Sequence, residues 1–199
     1  MKTFIFFILI FFSSVAIAPS QVLEYDIQLG SRSVGTLIVT PSNLKSKDFA
    51  IRMDAEMSLP LTAVHSVFDV KFEGGILKKA EMVQKMNGKV REKAIITRNG
   101  IQYEMNIDGI QKTMQREVTY TIAKLYHFEP KDVKEVFSER FGAYATIAEV
   151  APHLYEITLP DKNRNTYRYE NGICVEMTSK HSLARVTFRL VRNQQSARE

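Results

Sequence analysis

The sequence predicts an all-β protein: a strongly curved antiparallel up-and-down sheet, or a half-closed β-barrel, with one short helix. Three observations predict it. Two-residue turn signals punctuate the chain. Gly74-Gly75, Asn87-Gly88, Asn99-Gly100 and Asp108-Gly109 follow at spacings of 13, 12 and 9, and Asn171-Gly172 adds another. Asn-Gly and Asp-Gly suit type I′ hairpins, whose two central residues need positive φ. The segments between turns alternate apolar and polar residues, as in Phe49, Ile51, Met53, Ala55 and Met57. That period of two marks a sheet with one buried face. Finally, one segment alone carries helical spacing. Long strands without flanking helices must curl to bury a face.

The elements follow in order. Residues 1–20 read as a secretory signal peptide. Lys2 supplies the positive start, and 4–12 is an apolar run of nine residues. A bilayer span needs about 20. Cleavage after Ser20 leaves Gln21 as the mature start. The alternative, after Ala18, would put Pro19 just past the cut. No later segment is long and apolar enough to span a membrane. Strands are expected at 21–29, 33–40, 48–57, 63–73, 76–86, 89–98, 101–107, 110–118, 143–149, 154–159, 166–170, 173–179 and 183–191. The helix is expected from Glu129-Pro130, with Val133, Val136, Phe137 and Phe141 on one side and Gly142 as its stop. Residues 192–199 read as a polar tail. Residues 21–199 thus form a single domain.

Composition narrows the class. Lys and Arg number 27 against 22 Asp and Glu, for a net charge of +5, and 45% of residues are hydrophobic. This excludes a disordered chain, a collagen-like chain and a disulfide-rich miniprotein. Cys174 is the sole cysteine, so no internal disulfide exists; its apolar neighbours Ile173 and Val175 make it a core residue.

Two-residue turns also fix register. With Asn99-Gly100 as the loop, Ile96 faces Tyr103 and Ala94 faces Met105. With Asp108-Gly109, Met105 faces Lys112 and Tyr103 faces Met114. With Asn87-Gly88, Val83 faces Glu92 and Glu81 faces Ala94. One face then carries Leu77, Val83, Val90, Ala94, Ile96, Ile101, Tyr103, Met105, Ile107, Ile110, Met114 and Val118. Lys79, Glu81, Glu92, Arg98, Lys112 and Arg116 also fall on it. Unpaired charges in a dry core cost several kcal/mol. Either the sheet margins reach water, or the face lines a wet cavity with apolar walls and a few polar groups, as ligand sites do.

Catalytic patterns are missing: there is no G-x-S-x-G, H-E-x-x-H, P-loop or G-x-G-x-x-G. His65, His127, His153 and His181 are dispersed, without metal-ligand spacing. Neither a metal nor a cofactor is expected. Residues 161–172 begin like a calcium loop but have Thr166 at the sixth position and Gly172 at the twelfth, so a hairpin loop is expected. Residues 78–98 hold seven basic and two acidic side chains. Lys89, Arg91 and Lys93 share an outer face, either protecting it or meeting an anionic surface or protein partner. Nucleic acid is not an expected partner.

The pattern Thr121-Ile122-Ala123, Tyr126-His127-Phe128-Glu129-Pro130, Leu159-Pro160-Asp161-Lys162-Asn163 and Tyr167-Arg168-Tyr169-Glu170-Asn171-Gly172 resembles an uncharacterised family of secreted bacterial proteins. Tyr25-Asp26-Ile27 and Val34-Gly35 extend the resemblance over most of 21–191. More distantly, the pattern is similar to curved-sheet envelope proteins of the outer-membrane lipoprotein-carrier type. The resemblance implies secretion and an all-β fold.

The expected function is a secreted or periplasmic, non-catalytic binding or carrier module for a lipid or amphiphilic small molecule. Tyr103, Met105, Ile107, Met53 and Met57 would form its apolar wall, with Glu92 or Lys112 orienting a polar group. The alternative is an envelope interaction or structural protein with a dry core, which meets its partner through the basic strands. The third is a hydrolase with a dispersed site.

Overall fold

Fourteen strands form one antiparallel sheet in the computed structural model of the chain, which describes residues 21–181 and 184–195. The signal segment 1–20 lies outside the described residues. The strands are β1 (Gln21–Leu29), β2 (Arg32–Ser42), β3 (Phe49–Leu59), β4 (Thr62–Glu73), β5 (Ile76–Met86), β6 (Lys89–Asn99), β7 (Gln102–Ile107) and β8 (Ile110–Met114). Then come β9 (Glu135–Ser138), β10 (Ala143–Ala151), β11 (Leu154–Thr158), β12 (Arg164–Glu170), β13 (Ile173–His181) and β14 (Ala184–Gln195). The order across the sheet is β8-β7-β6-β5-β4-β3-β2-β1-β14-β13-β12-β11-β10-β9. Two meanders thus join where β1 pairs with β14. The sheet curls but does not close, so the barrel alternative gives way to an open sheet with β8 and β9 as edges.

Turn chemistry places most strands. Asn87-Gly88, Asp108-Gly109 and Asn171-Gly172 hold positive φ at both residues, as type I′ turns require. The 99–101 turn differs. Asn99 keeps negative φ, Gly100 is at +63°, and Asn99 pairs with Gln102. The loop is therefore Gly100-Ile101, with glycine first, as in a type II′ turn. Register moves by two, so Ile96 faces Met105 and Ala94 faces Ile107. An even shift keeps every side chain on its expected face.

A bulge does not. The β5–β6 register slips by one between Gln84 and Lys85, and Met82 rather than Glu81 faces Ala94. Ala80 and Met82 are buried, while Lys79 and Glu81 point to solvent and pair with each other at 2.6 Å. The expected buried charges on β5 thus dissolve. Val90, Ile101 and Ile110 also leave the expected core, at or beside hairpin turns, 55%, 70% and 63% exposed. Further slips at Glu24/Tyr25, Ile27/Gln28, Lys71/Phe72 and Arg168/Tyr169 add local twist and curl. Gly35 sits opposite the Ile27/Gln28 slip, where any Cβ would lie 2.0 Å from Glu56 O, so only glycine lets β2 approach β3 there.

The expected helix at 129–142 is absent. Its apolar spacing comes instead from β9, whose Val136, Phe137 and Ser138 are all buried. Both sides of this short strand are covered: β10 pairs with it, and Thr121 bridges to Phe137 in parallel. A run buried on both faces imitates a helical stripe. A 3₁₀ turn forms at Ala123–Tyr126 instead. It belongs to the segment 115–134, which straps the concave face between the two sheet edges. Residues 192–195 of the expected polar tail instead continue β14 against β1, and residues 196–199 lie outside the described residues.

Tyrosine hydroxyls tie these layers together. Buried Tyr103 donates to Leu77 O at 2.8 Å, Tyr25 to Cys174 O at 2.7 Å, and Tyr169 to Leu125 O on the strap at 2.8 Å. A buried hydroxyl needs such a partner. Lys124 pins the strap from the other side. Its ammonium donates to Thr119 O at 2.7 Å and lies 5.0–5.6 Å from the rings of Phe49, Phe72, Tyr120 and Phe128.

Candidate functional site

A cavity of about 450 Å³ lies between the concave face and the strap. Alternation along each strand aims side chains into it. Met53, Ala55 and Met57 come from β3, Val64 and Phe68 from β4, and Met86 from β5. Met177, Val186 and Phe188 face them from β13 and β14. The strap adds Ile122 and Tyr126, with the Tyr126 and Tyr167 rings meeting edge-on at 6.4 Å. Many wall residues lie beside turns at one end of the sheet, at 60–61, 87–88, 139–142 and 159–163.

Few polar groups join this wall. Ser66 Oγ donates to Gln84 Oε1 at 3.2 Å. Asn165 Oδ1 is buried without a partner among the described residues. Glu139, in the β9–β10 turn, is 1% exposed. Its carboxylate accepts the Ala123 N–H at 3.1 Å, which opens the 3₁₀ turn, and at 3.2 Å shares the Ile122 N–H with Phe137 O. Burial nevertheless pushes its carboxyl above the ordinary 4.5. Arg140 is next in sequence. Its Nη2 donates to Glu92 Oε1 at 2.5 Å across 48 residues of chain, linking the β9–β10 turn to β6.

The expected site residues divide. Met53 and Met57 line the cavity. Tyr103, Met105 and Ile107 do not: they are 0%, 3% and 8% exposed in a filled part of the core. There the Cβ position of Gly142, at φ +56°, is only 3.1 Å from Ile107 Cδ1 and Met105 Sδ. Glu92 reaches the wall only through Arg140. Lys112 is exposed on the edge strand, with its ammonium 3.5 Å from Phe141 O. Lys89, Arg91 and Lys93 are exposed on β6. Glu139, Arg140, Tyr126 and Tyr167 were not legible as site residues. Their one signal is the charged pair Glu139-Arg140 set between Phe137 and Phe141, which marks a polar step in an apolar layer.

Chemically, the arrangement can enclose one apolar chain and hold a polar group at Arg140. No helix among the described residues is long and apolar enough to cross a membrane. A family model described as a domain of unknown function (DUF6134) matches residues 25–191. No curated protein matches the chain.

Proposed function

The chain belongs to the DUF6134 family, and we propose that it is an exported, non-catalytic binding or carrier module for an apolar or amphiphilic ligand in the cell envelope. The cavity carries this reading. Ligand pockets run to about 300–1,000 Å³, with apolar walls and a few placed polar groups, and 450 Å³ falls in that range. Four wall methionines, Met53, Met57, Met86 and Met177, suit varied apolar shapes. Among the described residues the wall carries no histidine or cysteine. Export rests on the apolar run at 4–12.

The test is uptake of the neutral apolar dye N-phenyl-1-naphthylamine, read by fluorescence, beside native mass spectrometry of gently purified protein. One-to-one uptake is expected. Ala55→Trp, which fills the hollow, should abolish it without lowering the unfolding free energy by more than about 1 kcal/mol. A wild-type protein that takes up no dye and carries no lipid would return the choice to a partner-binding protein using Lys89, Arg91 and Lys93.

A further inference from the structure

We propose that the cavity selects a single-chain amphiphile with an anionic head, carboxylate or phosphate, held by Arg140. This rests on the binding-module reading and names its ligand.

Glu139 and Arg140 are the charged residues of the wall. Glu139 is already occupied, since each of its oxygens accepts a backbone N–H of the strap. Arg140 is not. Its side chain is 40% exposed, and one N–H is used, on Glu92. Its other N–H groups meet no acceptor among the described residues. A guanidinium presents a planar fork of five donors that matches the paired oxygens of a carboxylate or phosphate. Glu92 fills that role only in part. One of its oxygens takes the short bond, while the other is buried without a donor among the described residues. An anionic head with two free oxygens would engage the fork better than this one-armed contact.

Size and field agree. A water takes about 30 Å³ of liquid volume, so 450 Å³ holds about fifteen groups of that size. That suits one acyl chain, not two. The chain's net charge of +5 also favours an anionic ligand at long range.

The experiment displaces the neutral dye from the purified protein with dodecanoate, dodecyl phosphate or dodecanol. Both anions should displace it at about tenfold lower concentration than dodecanol, the effect of one charge-assisted hydrogen bond. Arg140→Gln should bring that ratio near one, and Arg140→Lys should restore part of it. Glu92→Gln should free the guanidinium and sharpen the preference for anions. A stronger dodecyl phosphate would mark a single-chain lysophospholipid source, and a stronger dodecanoate a free fatty acid; either supports the proposal. Dodecanol competing as well as the anions, or Arg140→Gln keeping the preference, overturns it and leaves the binding module standing. Failure of the dye to enter a protein that carries no lipid overturns both.

Discussion

Two parts of the concave face are built from the same residue types and end differently. Around β7, Tyr103, Met105 and Ile107 are buried in filled core, the last two beside Gly142. Around β3 and β13, Met53, Met57 and Met177 surround a hollow. Strand alternation is equally good in both. The difference lies in what covers them. The 139–142 turn lies so close to the first part that even a Cβ on Gly142 would come within 3.1 Å of Ile107 and Met105. The strap bridges the second without filling it, because its weight is carried by anchors to either side: the Lys124 ring cluster and the Tyr169 hydroxyl. Packing density here is a property of the cover, not of the strand.

The largest test of this contrast is a pair of truncations. Tyr103→Ala should cost about 3–5 kcal/mol, since it empties a filled site and strands Leu77 O and the Val118 N–H. Met57→Ala should cost about 1 kcal/mol, because the methionine already borders empty space. Urea unfolding of both variants reads the difference; equal costs would mean that the hollow collapses around its side chains. Next in size is Gly142→Ala. Its new methyl meets Ile107 and Met105 at 3.1 Å from a left-handed backbone, for about 1–3 kcal/mol. A neutral result would show that the filled part has slack.

The smallest effects are in pH, and they separate two buried groups around the strap. Burial raises Glu139 above 4.5, so the folded chain keeps this proton longer than the unfolded one. The stability it contributes is complete at low pH and is lost as pH rises through the folded value. Burial lowers His127 below 6.5, while its Nε2–H donates to Gln21 O at 2.8 Å. Its contribution is present above the unfolded value and is lost as pH falls through the folded one. Unfolding midpoints across pH should show both slopes. Glu139→Gln should flatten the first and His127→Gln the second; unchanged slopes would place the titration elsewhere.

Much of this fold was legible because local chemistry sets it. Asn87-Gly88 and Asp108-Gly109 turn where the dipeptides say, and the strands flanking them have the expected bounds within a few residues. Even the misplaced 99–101 loop kept the faces, since its shift was even. What was not legible depends on distant chain. The slip at Gln84/Lys85 swaps Glu81 for Met82 on the concave face, and no residue near it announces a bulge. Val136-Phe137-Ser138 looks helical until Thr121, from the strap, covers the strand's far side. The cavity follows the same rule. Met53 and Met57 could be named from alternation, but Arg140 enters the wall only once the β9–β10 turn reaches β6.

The β1–β14 pairing has a consequence in time. Among the described strands β1 is the first to be synthesised and β14 the last, yet they form a central seam of the sheet, with Gln21 opposite Gln195. Until that seam joins, two separate meanders each carry an unpaired inner edge. Closing a loop of nearly the whole chain is entropically slow, and contacts so distant in sequence retard folding. Refolding should therefore be limited by the last strand. A circular permutant that links 195 to 21 and opens at 108–109 turns the seam into a hairpin, and it should refold faster in stopped-flow fluorescence while reaching the same sheet.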